Sequence, residues 1–233
     1  MQQIPLAFNA CDAATFDSFL ATEANRLALQ ALQRLSNSGD EYSLSYLHGP
    51  AGSGCTHLLQ ALCHRSNERG ERAHYLPLAS LSGHPPEDIL ARLQGHAVVC
   101  IDDLDSVAGQ WDWEVQLFNL LNRALLDAGT VAVAATRPPD AAGFRLPDLV
   151  SRLQQGLVLA LREPDDDDKA RVFAWRAQQR GMLVTPRVAQ FVLTHSGRDL
   201  PGLMRLLDKI DAQSLNQQRR ITVPFIRELL ARR

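Results

Sequence analysis

The stretch YLHGPAGSGCTHLL, residues 46–59, constrains this chain more than any other. An apolar strand pattern runs into a turn built on Gly49, Gly52 and Gly54, and a helical pattern begins at once behind it. Glycines there let a backbone approach an anion closely, and the N–H groups of the turn and of the helix start form a phosphate site without any side-chain charge. The spacing G-x-x-x-x-G-K-[ST] is met at Gly49, Gly54 and Thr56, except that Cys55 stands where the lysine belongs.

The rest of the chain supplies the fold in which such a turn works. Candidate strands SLSYLH, AHYLPL, AVVCID, GTVAVAAT and GLVLAL alternate with helical segments at 55–68, around PPEDILARLQ, and at 113–126. AVVCID and GTVAVAAT are continuous apolar runs, expected to be buried on both faces of a sheet. Alternation of this kind predicts a parallel sheet with helices on both sides, here preceded by a polar helix over 15–35. In the helix at 113–126 the period of Val115, Phe118, Leu121 and Leu125 marks the expected buried face. Beyond residue 163 only helical patterns remain. Thr185-Pro186 reads as an N-cap with proline at the first helical position, and Thr222 as a further cap. The run Asp165–Asp168 reads as the acidic first turn of a helix rather than a metal site, since carboxylates there complement the helix dipole.

With 233 residues and a net charge of −2, the chain has room for a main domain and a satellite, and its composition does not favour a polyanion partner. No apolar run is long enough to span a membrane and the start lacks a signal-peptide pattern, so a cytoplasmic location is expected. Cys11, Cys55, Cys63 and Cys100 form no C-x-x-C pair and read as isolated thiols.

Asp102 and Asp103 end the AVVCID strand about 50 residues after the glycine turn, where an ATPase holds magnesium and polarises water. Around these two motifs, the chain resembles the DnaA-type AAA+ family. TFDSFLATEANRLALQAL is similar to the segment before that family's phosphate loop, and FNLLNRALLDAGTVAVAATRPP to the approach to its first sensor. LPDLVSRLQQGLVLAL resembles the segment bearing its arginine finger, and GRDLPGLMRLLDKI the one bearing its second sensor. The initiator of the family continues into a DNA-reading helix-turn-helix domain, whereas this sequence ends at Arg233. Within the family, the resemblance is to the Hda-type regulators that shut the initiator off.

That resemblance implies an AAA+ P-loop fold over 11–163 and an all-helical lid over 164–233, after an N-terminal peptide at 1–10. It implies phosphate contacts from Gly49, Pro50, Ala51, Gly52, Ser53, Gly54, Cys55 and Thr56. Asp102 and Asp103 fill the acidic motif, with Thr56 and Asp102 on any magnesium ion. Thr136 falls at the first sensor, Arg198 at the second, and Arg152 at the arginine finger. QIPLAF resembles a clamp-binding peptide, in which Gln3, Ile4, Leu6 and Phe8 would enter a groove of the DNA polymerase III sliding clamp (its beta subunit). The implied partners are this clamp and the DnaA initiator, with DNA reached through the clamp, no membrane, and self-association possible. Without the lysine, the site is expected to hold ADP rather than to turn over ATP. Two other readings stay open: an ATPase helicase loader that tolerates Cys55, for which the intact acidic pair speaks, and a non-hydrolysing scaffold subunit of the clamp-loader kind.

Overall fold

The computed structural model describes residues 14–35, 43–93, 97–197, 199–217 and 221–231. The chain divides into two compact units, the first ending at Arg162 and the second beginning at Glu163.

In the first unit a 3₁₀ turn at Glu23–Asn25 leads into α1 (Arg26–Leu35). Then come β1 (Ser43–His48), α2 (Cys55–Glu68), β2 (Ala73–Pro77), α3 (Leu78–Leu81), α4 (Pro86–Leu90) and β3 (Val98–Asp102). α5 (Trp111–Leu126), β4 (Thr130–Ala135), α6 (Pro147–Gln155) and β5 (Leu157–Ala160) complete it. The strands form one sheet in the order β2-β3-β4-β1-β5, and every pairing is parallel. The α/β expectation from the alternating pattern holds.

Because successive strand residues point to opposite faces, each buried strand feeds two cores. Leu44, Tyr46, Val99, Ile101, Val131 and Val133 pack with α4, α5 and α6 on one side. Leu47, Cys100, Ala132 and Ala134 pack with α1 and α2 on the other, where Leu32, Leu58, Leu59 and Leu62 are fully buried. Each such leucine contributes roughly 1.5–3 kcal/mol of burial, which outweighs the propensity of any single residue in these helices.

Two expectations need correction. The helix predicted over 15–35 begins only at Glu23. Upstream, Thr15 N–H donates to Ser18 Oγ at 3.0 Å and Ser18 N–H to Thr15 Oγ1 at 3.1 Å, a single turn like a capping box that does not propagate, because the chain beyond it lays Phe19 on His57 of α2. Within α1, Leu27 is 72% exposed and the buried face is Ala28 and Leu32. In α5 the buried stripe is Trp113, Glu114, Leu117, Leu120 and Leu121, one step round from the stripe predicted through Val115 and Leu125. The reason is a buried carboxylate, Glu114, that an apolar count ignores. β5 is an edge strand with Leu157 half exposed, as its place at the end of the sheet order requires.

The second unit contains α7 (Asp166–Gln179), α8 (Pro186–Ser196), α9 (Leu200–Gln217) and α10 (Val223–Ala231) around a core that includes Phe173, Val192, Leu207, Ile210 and Ile226. Asp165 caps α7, accepting from Asp168 N–H at 2.7 Å, and Arg171 pairs with Asp168. Thr185 caps α8 ahead of Pro186, and Thr222 Oγ1 accepts from Phe225 N–H at the start of α10. The acids at 165–168 thus serve helix α7, as expected.

Candidate functional site

The glycine turn leaves the end of β1 and enters α2 at Cys55. Gly52 and Gly54 have φ of 84° and 103°, conformations that a side chain rarely adopts. At Gly54 a Cβ would also lie 2.6 Å from the Phe19 ring, and at Gly49 one would lie 2.5 Å from the Leu161 carbonyl oxygen. The turn is therefore a tightly enclosed backbone cradle at the N-terminus of a 14-residue helix.

Residues 14–25 hold that cradle from one side. Asn25, 1% exposed, donates through Nδ2 to the Ser53 carbonyl at 3.1 Å and the Arg162 carbonyl at 2.9 Å, and accepts from Arg162 N–H at 2.9 Å. The Phe19 ring packs on His57, and a His57 ring nitrogen lies 2.9 Å from the Thr15 carbonyl. Asn25 was not among the sequence candidates. A lone amide in an otherwise amphipathic helix start was its only signal.

Cys55 is buried within the apolar cluster under α2, with Sγ 3.4 Å from Ser53 Oγ. Burial pushes its thiol up to about 11. The residue at the lysine position is thus a protonated, packed thiol at neutral pH, which excludes a low-pKa nucleophile there. Thr56, next along α2, is exposed.

The acidic end of β3 lies two strands from β1, with β4 between. Asp102 is 4% exposed; its Oδ2 accepts from Tyr75 O–H at 2.7 Å and its Oδ1 from Asp103 N–H at 3.0 Å. Asp103 takes the left-handed conformation, φ 53°. Its carboxyl is raised by burial first, then by Asp102 and Asp105. Gly49 N–H donates to Ala135 O at 3.2 Å, so Thr136 directly adjoins the cradle. Thr136 is not free: its hydroxyl and its N–H both donate to Asp105 Oδ2. Asp105 and Tyr75 are further residues that sequence reasoning missed. The third acid in the run DDLD signalled the first, and nothing signalled the second.

Arg152 lies on α6, half-buried. Its guanidinium donates to Asn122 Oδ1 on α5 at 2.7 Å and to Gln155 Oε1 at 2.9 Å, two neutral amides that position it without neutralising it. Gly156, one turn further on, is packed against the start of β1, where a Cβ would meet the Leu44 carbonyl oxygen at 2.7 Å. The glycine turn leaves the opposite end of β1, about 17 Å away at the usual strand rise. The structure therefore brings Gly49–Thr56, Asp102, Asp103 and Thr136 together and places Arg152 toward the other end of the sheet. Arg198, Gln3, Ile4, Leu6 and Phe8 lie outside the described residues.

A cavity of about 320 Å³ beside α1 and α2, lined among others by Thr15, Gln33, His64 and Glu68, includes none of the cradle residues. Among the described residues no cluster of three or more His, Cys, Asp or Glu could hold a metal ion by itself.

Comparison with known proteins agrees with this geometry. Residues 11–160 match the bacterial DnaA ATPase domain and residues 166–230 match the Hda lid domain. An uncharacterised protein of Haemophilus influenzae is 36% identical over 231 residues, covering 98% of both chains. Among solved structures, domain III of Thermotoga maritima DnaA superimposes with a TM-score of 0.78 at 20% identity, covering 92% of this chain and 94% of that one. A DnaA bound to AMPPCP and single-stranded DNA gives 0.71 at 20% identity, covering 90% and 69%. Thermotoga maritima RuvB gives 0.65 at 19% identity, covering 92% and 70%. A nucleotide-binding ATPase domain of the DnaA type, followed by an Hda-type lid, is the make-up of a DnaA-related replication regulator, and the chain belongs to the DnaA-related AAA+ family in its Hda-like form.

Proposed function

We propose that this protein is a negative regulator of replication initiation that activates ATP hydrolysis by the DnaA initiator while turning over little or no nucleotide itself. In this reading its own cradle holds ADP through the backbone of Gly49–Gly54 and the start of α2. Thr56 and Asp102 would hold an accompanying magnesium ion, which supplies charge neutralisation for the phosphates. Arg198, at the position of the second sensor, is assigned to the same nucleotide. Cys55 supports this assignment: without the lysine, nothing at that position offsets the extra charge of a triphosphate or the charge that builds on it in transfer.

Arg152 is the residue that acts on the partner. The observation that carries the proposal is its placement, oriented by two neutral amides and toward the end of the sheet away from its own glycine turn. A guanidinium held by neutral partners and so placed is suited to the γ-phosphate bound by a neighbouring subunit rather than its own. The peptide at residues 3–8 would tether the protein to the sliding clamp on DNA, so encounter with the initiator takes place on DNA in the cytoplasm.

The test is ATP hydrolysis by DnaA in the presence of this protein, clamp and DNA. Arginine fingers supply about 10³ to 10⁵ in rate in well-characterised systems; a tethered encounter should give less. Arg152→Ala should remove the stimulation and leave nucleotide and clamp binding intact, and Arg152→Lys should restore little, because a point charge does not reproduce the planar fork. Normal stimulation by Arg152→Ala would refute the mechanism. Brisk hydrolysis by the isolated protein, abolished by Asp103→Asn, would favour the helicase-loader reading that the intact Asp102–Asp103 pair keeps open.

A further inference from the structure

Glu114 is completely buried in α5, and its carboxylate is spent on backbone donors from two separate turns. Oε1 accepts from Gly109 N–H at 2.7 Å, and Oε2 accepts from Arg145 N–H at 2.8 Å and Leu146 N–H at 2.7 Å. Taking a carboxylate out of water is unfavourable unless its acceptor sites are filled, and three charge-assisted bonds fill these. An apolar residue would pack such a helix position as well. What it could not do is join the two turns.

Those turns belong to the two ends of the proposed machinery. Gly109, with φ 81°, closes the 3₁₀ segment Leu104–Val107 that follows Asp102 and Asp103. Leu146 is the N-cap residue of α6, and its side chain makes no cap bond, so the entry of that helix depends on what holds its backbone. Two helical turns along α5 from Glu114, Asn122 meets the guanidinium of Arg152. α5 thus holds α6 at its entry and at its functional side chain.

We propose that Glu114 is a positioning residue that fixes the entry of α6, and with it Arg152, relative to the acid-bearing loop after β3. This inference rests on the activating role proposed for Arg152. Glu114→Gln keeps size and shape but turns one acceptor into a donor, which must face either Gly109 N–H or the Arg145 and Leu146 pair. Either way the link between the two turns is broken, and the α6 entry is no longer fixed against the loop after β3. A misplacement of about 1 Å at a reacting group lowers rate by up to about a hundredfold, so maximal stimulation of DnaA hydrolysis should fall tenfold or more.

The experiment measures stimulation against protein concentration for wild type, Glu114→Gln and Arg152→Ala, well below each melting temperature, with clamp and DNA present. Amide hydrogen exchange is followed in the same proteins. Support consists of a fall in maximal stimulation with Glu114→Gln, unchanged ADP affinity, and faster exchange confined to the turns at Gly109 and at Arg145–Leu146. Full stimulation by Glu114→Gln while Arg152→Ala is silent would reduce Glu114 to an ordinary buried residue and overturn the proposal. Normal stimulation by Arg152→Ala would remove the arginine mechanism itself, and the positioning role with it. Should Glu114→Gln not fold, Glu114→Asp, which keeps the charge and shortens the reach by one methylene, is read by the same outcomes.

Discussion

Asn25 grips Ser53: its side-chain amide donates to the Ser53 carbonyl at 3.1 Å, and the same amide exchanges hydrogen bonds with the backbone of Arg162 at 2.9 Å in each direction. One buried side chain thereby ties the glycine turn to the chain just beyond β5. Asn25→Ala would take this partner from the buried Ser53 carbonyl, at a cost of about 1–3 kcal/mol, and would release the part-buried backbone groups of Arg162 to water. The variant should melt markedly lower and bind ADP more weakly, in thermal unfolding and calorimetry. Unchanged nucleotide affinity in a folded Asn25→Ala would show that the turn keeps its shape without this tie.

Cys55→Lys should raise affinity for ATP more than for ADP. A unit charge pair 4 Å apart is worth about 1 kcal/mol in bulk water and about 4 kcal/mol at an effective dielectric of 20, and a triphosphate gains most. Cys55 packs in the apolar cluster, so the lysine must carry its ammonium past that core to the turn, and some stability should be lost. Competition calorimetry on both nucleotides checks this. An equal gain for the two would mean that the position does not sense the terminal phosphate.

Stability should decline in alkaline solution through the buried thiols. Burial pushes Cys55 and Cys63 up from 9.0 to about 11. Between pH 9 and 11 the unfolded chain has released protons that the folded chain keeps, so the contribution is complete below pH 9 and is lost as pH rises through that window. For Cys55 the loss amounts to about 2–3 kcal/mol. Urea midpoints at pH 7, 9 and 10.5 should show the decline, and Cys55→Ala should make it shallower while Cys63 keeps its share. A wild-type midpoint that holds to pH 10.5 would contradict the assignment.

Changing Gln3 to alanine, or Leu6 and Phe8 together, should abolish binding to the sliding clamp with little effect on melting temperature. Such a peptide gives its apolar side chains to a groove on the partner. Surface plasmon resonance on immobilised clamp, together with calorimetric melting, decides the point. A large drop in melting temperature would place these side chains in the protein's own core.

How much of this was legible in the sequence follows from how local each feature is. α2 was bounded correctly because a glycine turn precedes it and Gly70 follows it, both signals within its own stretch. The start of α1 was missed because the chain after the Thr15–Ser18 turn is drawn onto α2, where Phe19 packs on His57, and a hydrophobic pattern carries no record of such tertiary contacts. The α5 face was misjudged by one step because its most buried charged residue, Glu114, counts as polar in any periodicity.

Residue order alone carries the α/β alternation, the glycine turn with Cys55 in it, the acids at the end of β3 and the family likeness. These depend on residue type and spacing, which burial and backbone conformation translate directly into local structure. The tertiary structure alone decided which distant groups meet. Tyr75 reaches Asp102, Asp105 holds Thr136, Asn122 orients Arg152, and Glu114 joins two turns more than thirty residues apart. Such contacts depend on strand order and helix packing, and those are set by the whole core rather than by any stretch of chain.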